Sequence, residues 1–378
     1  MSETSRRSFL RAGAGAVLAF PMISLGSHAV FAASAKKYST RAIDLVKRSL
    51  VIDMLAPLTL DFSPERFAET LTPEKVEMYR SSGITGFHNA MGIGGADAHQ
   101  GVLRFMAAWS GFAARNSELF LLVNKADDLA RAKAQGKIAL IQGVQNAEHF
   151  RTPEDVKLFY QLGQRCSQLT YNSQTRVASG STERVDGGVT DFGVSIIKAM
   201  NDVGMLVDVS HCGDRTTLDA IDISPKPIAF THSNCRALNP GHPRVKTDEA
   251  IKKLAAKGGV IGITGVRNFL SPKEPTTVEN VVDHIDHVVR LVGLEHVGVG
   301  SDADLNGYDD MPAEQYSRLR ASYKDSYAFR AKIDTDGFDH PQKIYDLTEA
   351  LIRRGYTDAQ IEAVLGGNFK RLLQQTWG

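Results

Sequence analysis

The chain has 378 residues, 43% of them hydrophobic and 23% charged, with 44 basic residues against 43 acidic ones. With that near-zero balance nothing suggests a basic nucleic-acid surface or an acidic tail, and the length is enough for one large core. The three cysteines, Cys166, Cys212 and Cys235, are too few and too odd in number for a disulfide framework. They read as small buried thiols in or just after strands.

The N-terminus reads as an export signal and not as part of the fold. Ser5 to Leu10 is S-R-R-S-F-L, a twin-arginine pattern, and a Gly/Ala-rich, weakly apolar stretch follows from Ala12 to about Leu25. Val30-Phe31-Ala32-Ala33 then places small residues at cleavage spacing. Gly13, Gly15, Pro21 and Gly26 dilute the stretch too much for a membrane span. The expectation is a twin-arginine signal over residues 1–35 and a single domain over 36–378, periplasmic, with no stable membrane span after signal removal. A chance arginine pair ahead of a tail is the alternative.

Short apolar runs then alternate with amphipathic segments. The strand-like runs are Ser49–Met54, Gly83–Met91, Leu119–Val123, Lys137–Asn146, Arg165–Asn172, Met205–His211, Pro227–Ser233, Gly259–Val266 and His296–Asp304. Helical stretches between them include Pro73–Ser81, Pro153–Leu162, Thr190–Val203, Asp248–Lys257 and Val278–Val292. Thr72-Pro73 is a helix start, and Gly204 and Gly258 are C-terminal stops. Strands alternating with helices imply a parallel sheet. Nine such runs favour a closed (β/α)₈ barrel plus one extra strand, with an open sheet as the alternative. No dinucleotide fingerprint or P-loop follows a strand. Asn306–His340 is polar, aromatic and irregular, and reads as a long loop over one end of the barrel. Asp358–Trp377 reads as one helix.

In a parallel barrel the C-terminal strand ends face the active site, so polar residues closing apolar strands matter most. Leu206–His211 and Ile228–His232 each end in a histidine, Val297–Asp302 ends in a carboxyl, and Gln168–Asn172 ends in a phenol and an amide. A lone strand-end histidine is read most simply as a hydrogen-bonded residue without a metal. Two of them with an aspartate can converge, because neutral imidazole is a common zinc ligand and aspartate can act as ligand or proton carrier.

These runs resemble peptidase family M19, the renal or membrane dipeptidases. The residues carrying the resemblance are V-D-V-S-H-C-G-D-R-T-T-L-D at Val207–Asp219, Thr231-His232-Ser233-Asn234, His242-Pro243-Arg244 with Thr247-Asp248-Glu249, G-V-G-S-D-A-D at Gly298–Asp304, and Leu365-Gly366-Gly367-Asn368-Phe369. The resemblance implies a (β/α)₈ metallohydrolase, typically with two zinc ions, that cleaves dipeptides by attack of a metal-bound hydroxide. Position by position it implies that His211 and His232 hold metal, that Arg244 receives a substrate carboxylate, and that Asp302 handles the proton.

The chain departs from the family pattern at several ligands. The first strand usually ends D-x-H-x-D, but here it reads Asp53-Met54-Leu55-Ala56-Pro57. Gln145 stands where the metal-bridging glutamate is usual, and Tyr171 where a histidine lies over the substrate carbonyl. The G-V-Q-N and L-T-Y-N forms resemble a bacterial branch of the family. The resemblance therefore implies one zinc or none, on His211 and His232, with a third ligand to be sought among Asp302, Glu148, His149 and His88. It further implies Asp302 and Tyr171 as catalytic groups, and Arg244, Tyr171 and Gln145 as substrate-binding groups for a small peptide; relatives often form homodimers, and for this chain the sequence leaves the homodimer open. The first expectation is a dipeptidase-like hydrolase. The alternative is a non-hydrolytic barrel that binds a peptide or assists maturation of a secreted one, and a weaker third is a metal-free chemistry of Tyr171, Asp302 and the histidines.

Overall fold

The computed structural model describes residues 38–61, 70–308 and 311–377. The export-signal reading therefore lies outside the described residues. All nine expected strands form: β1 Ile52–Asp53, β2 Gly86–Met91, β3 Phe120–Leu122, β4 Ile138–Val144, β5 Gln164–Gln168, β6 Leu206–Asp208, β7 Ala229–Ser233, β8 Val260–Ile263 and β9 Val297–Val299. They pair in parallel in the order β2-β1-β9-β8-β7-β6-β5-β4, and β4 pairs back onto β2 from Gly86↔Ala139 to Met91↔Val144. That last ladder closes the barrel and removes the open-sheet alternative. β3 is the extra strand, joined only to the first residues of β4 at Ile138–Leu140.

The helices between strands start and stop on local chemistry. The Thr72 and Thr190 hydroxyls accept from Lys75 N and Gly193 N, which caps the helices α1 (Pro73–Ser81) and α2 (Asp191–Val203). Gly204 takes φ +83° directly after α2, a left-handed stop that a Cβ would strain. Among the described residues, no helix is long and apolar enough to cross a membrane.

Two expectations are corrected. Asp358–Trp377 is not one helix: it divides into α3 (Asp358–Glu362), a wide turn over Ala363–Gly367, and α4 (Asn368–Trp377). The cause is a close approach, since a Cβ at Gly366 would lie 1.9 Å from the Leu50 carbonyl oxygen. The segment 306–340 is also not uniformly irregular, because it carries α5 (Ala313–Ser322), whose residues are none of them buried.

The two barrel ends differ in content. At the end where the strands begin, Phe369, Leu372, Leu373 and Trp377 of α4 pack with Ile52, Leu206, Ala229 and Val260. At the end where they finish, polar side chains and the 306–340 segment enclose a cavity.

Candidate active site

β6 and β7 deliver the two histidines side by side. The β7–β8 register shifts between Phe230 and Ser233, and such an irregularity re-aims the side chains within it, here Thr231 and His232. His211 Nε2 and His232 Nε2 stand 3.0 Å apart, and both residues are buried.

The outer nitrogens fix the tautomers. His211 Nδ1 lies 2.8 Å from Asn172 Oδ1, an acceptor, so Nδ1 donates. Thr231 Oγ1 donates to Asp208 Oδ2 at 2.8 Å and therefore accepts from His232 Nδ1, also at 2.8 Å. Asp208 is held in turn, its Oδ1 accepting from the Ser210 hydroxyl at 2.5 Å and from Thr231 N at 3.1 Å. Both Nε2 atoms thus carry lone pairs, facing each other at close range. Burial holds both imidazoles well below the usual pKa, and Arg244 pushes them lower still. Lone pairs so placed repel unless a cation lies between them, and desolvation disfavours a proton in that role.

Asp302 lines the same cavity as His211. Its backbone turns left-handed, φ +61°, at the end of β9, with its N–H on Leu55 O at 2.8 Å. Desolvation pushes its carboxyl up to about 7, against the lowering field of Arg244. Tyr171 stacks on the His211 ring, 4.1 Å between centroids, and its phenol makes a short hydrogen bond with that of Tyr323. Gln145 donates from Nε2 to Ala90 O at 3.1 Å and leaves its buried Oε1 without a protein partner. These groups share a cavity of about 270 Å³ with an aromatic and apolar wall that includes Phe269, Tyr308, Tyr327 and Phe329. His211, Asp302, Tyr171 and Gln145 line it; His232 and Arg244 do not.

The Arg244 guanidinium is fully buried and is bonded to backbone carbonyl oxygens, behind the cavity wall. Among the candidates for a third ligand, Glu148 accepts from Gly95 N and Asn146 Nδ2 at 3.1 and 3.0 Å. His149 bonds Gln164 and packs on Phe150 and Phe159 as a core residue. His88 donates from Nδ1 to Met54 O at 2.6 Å, and its Nε2 fills the space over Gly143, where a Cβ would be 2.0 Å away. None of the three lines the cavity.

Asn172, Asp208 and Thr231, which orient the histidines, and the ring wall from the 306–340 segment are the functional parts that strand-end reasoning passed over. Asn172 carried a signal, since it closes the run after β5. The rings carried one only in the aromatic content of the segment.

A (β/α)₈ barrel with an imidazole pair and a carboxyl at its strand ends has the architecture of the metallo-dependent hydrolases. The family model for membrane dipeptidase, peptidase family M19, matches residues 46–322. The chain belongs to that family. It is 31% identical over 262 residues to dipeptidase verJ of Clonostachys rogersoniana, covering 68% of this chain and 61% of the relative. It is 29% identical over 264 residues to dipeptidase tcpJ of Claviceps purpurea, covering 68% and 56%. The chain thus spans less than two thirds of the length of these relatives. Among solved structures, an amidohydrolase from Pseudomonas aeruginosa is 30% identical with a TM-score of 0.77, covering 89% of this chain and 99% of the other.

Membership implies a metal, typically zinc. The His211–His232 pair fits two donors of one such ion, since two nitrogens on one tetrahedral zinc lie about 3.3 Å apart for Zn–N bonds near 2.0–2.1 Å. The rest of a two-ion set does not fit: Leu55 and Pro57 offer no donor, and Gln145 offers a neutral amide. Among the described residues, no group of three or more His, Cys, Asp or Glu side chains is gathered to hold an ion.

Proposed function

We propose that this protein is a dipeptidase-like hydrolase of a small peptide or related amide, exported by the twin-arginine pathway to the periplasm, and working with at most one metal ion. Family membership supports the hydrolase, S-R-R-S-F-L supports the export, and Leu55, Pro57 and Gln145 support the reduced metal count. The observation that carries the reading is the pair of facing Nε2 lone pairs, 3.0 Å apart, with Asp302 lining the same cavity as His211.

His211 and His232 would hold the ion, which supplies Lewis acidity to a carbonyl and acidifies a water. The chain's own groups do the rest. A carboxyl raised to about 7 is divided between its two forms near neutral pH, so Asp302 can take a proton from the attacking water and return it to the leaving amine. The Tyr171 phenol donates to the developing oxyanion. Gln145 Oε1, without a protein partner, accepts from the substrate's amine or amide N–H. The ring wall keeps bulk water from the reacting carbonyl.

The test is elemental analysis of the purified protein alongside L,L- and L,D-dipeptide hydrolysis. The expected result is about one equivalent of zinc, lost together with activity in His211→Ala. A preparation that never takes up metal and binds peptide without cleaving it would favour the non-hydrolytic barrel.

A further inference from the structure

Lys343 opens the helix Lys343–Arg353, and it is fully buried. Both placements are costly. An ammonium gives up its water on burial, and a positive charge at a helix N-terminus opposes the helix dipole. Burial accordingly holds the lysine below its ordinary pKa. The cavity does not account for it, because Lys343 is not among the residues that line that space.

What Lys343 does touch is the turn that carries Asp302. Its ammonium donates to Ser301 Oγ at 3.0 Å, to the Ala303 carbonyl oxygen at 3.2 Å and to the Asp304 carbonyl oxygen at 2.8 Å. These residues flank Asp302 on both sides, and three bonds use the full donor capacity of an ammonium. The Phe338 ring lies against it, its centroid 6.0 Å from Nζ. The N–H groups of the same turn are taken by β1 and the residues after it. Asp53 Oδ1 accepts from Ser301 N at 2.8 Å, and Leu55 O accepts from Asp302 N at 2.8 Å. With donors and acceptors both occupied, the turn is held in the left-handed conformation of Asp302, φ +61°, which persists only where the surroundings over-determine it.

We propose that Lys343 is a positioning residue for the reaction, holding the turn that presents the Asp302 carboxyl to the cavity. This rests on reading Asp302 as the proton carrier. Lys343 acts through that carboxyl and not on substrate or ion. Its charge bears on the same group. Burial raises the Asp302 carboxyl, Arg244 and Lys343 oppose that rise, Asp53 and Asp208 add to it, and the Tyr171, Tyr308 and Tyr327 phenols also face it.

The experiment uses the whole protein with Lys343→Met, Lys343→Gln and Asp302→Asn, singly and with each lysine variant combined with Asp302→Asn. Methionine keeps an unbranched side chain and removes every donor. Glutamine keeps two N–H donors and loses the charge, and it serves if the methionine variant does not fold. The readings are dipeptide turnover, zinc binding by calorimetry, and a carbon-13 NMR titration of the carboxyl signal that Asp302→Asn lacks. Lys343→Met should lose about 100-fold in kcat, the cost of a misplaced reacting group. KM and zinc affinity should stay within about threefold of the parent. Lys343→Gln should retain part of the lost kcat. Added to Asp302→Asn, either substitution should cost less than about threefold more, because the group it positions is already gone. In both lysine variants the Asp302 carboxyl should titrate at higher pH than in the parent. Losses that multiply in the double variants overturn the proposal, and so does a loss confined to KM or to zinc affinity. Absence of turnover in the unmodified protein would sink the hydrolase reading by itself. The carboxyl titration still decides the role of Lys343 in that case, and an unchanged titration in its variants overturns the proposal.

Discussion

Asp302 occupies left-handed backbone that a residue with a Cβ adopts only when its surroundings hold it there. Here Leu55 O takes its N–H, and the Tyr308 hydroxyl donates to its carbonyl oxygen at 3.1 Å. The turn aims the carboxyl into a poorly solvated cavity, and desolvation lifts it to about 7. A raised carboxyl favours the protonated folded state. The stability it contributes is present below the ordinary carboxylate range and is lost as pH rises to about 7. Asp302→Asn removes that loss. The variant should therefore gain in Tm over the parent as pH rises from about 5 to about 8, while kcat/KM falls about 100-fold or more and loses its limb near neutrality. A constant Tm difference across that range would show that the carboxyl is not raised in the folded chain. His211, His232 and Asp302 were legible because each closes an apolar strand. The tautomers were not, because they depend on Asn172, 39 residues from its histidine, and on an Asp208–Thr231 hydrogen bond between strands.

Elements were legible where the cause is local and obscure where it is not. The nine apolar runs became nine strands, and Pro73–Ser81 and Val278–Val292 became helices with those bounds, because threonine caps mark their starts within the segments themselves. The break before α4 depends on the Leu50 carbonyl, which no local pattern shows. The irregular stretch of β7 has the same kind of distant support. A Cβ at Gly262 in β8, or at Gly300 just after β9, would lie 2.1 or 2.0 Å from the Thr231 carbonyl oxygen, so both positions give up a side chain to admit it. Gly300→Ala must push backbone, since its new atom would also meet His232 Cα at 3.2 Å. We expect a loss of about 1–3 kcal/mol in urea unfolding and, because His232 moves with Thr231, a fall in zinc affinity of about tenfold. Gly241→Ala, with nothing within 4 Å of the added atom, is the control and should unfold within about 0.5 kcal/mol of the parent. Equal behaviour of the two variants would mean that the β7 irregularity does not set the position of His232.

Across the whole molecule, stability and chemistry are assigned to opposite ends of one barrel. The strand starts are sealed by α4, whose Phe369 is fully buried and fits against Gly298, where a Cβ would be 2.6 Å from the ring. Trp377 closes the same end, its indole donating to Arg165 O at 3.0 Å. The strand ends instead hold lone pairs, a raised carboxyl and an unpartnered amide oxygen, groups that cost stability and are kept for the ligand. If this division holds, damage at the sealed end should not reach the chemistry. Phe369→Ala leaves a cavity among Ile52, Leu372 and Leu373 and should cost about 3–5 kcal/mol, a large share of the roughly 5–15 kcal/mol that holds a typical domain. Zinc stoichiometry and kcat, measured well below the lowered Tm, should match the parent, because β6, β7 and β9 are supported at their far ends by Asp208, Arg244 and Lys343 rather than by the seal. A variant that stays folded at the assay temperature yet loses zinc or turnover would show that the seal sets strand register through the full depth of the barrel.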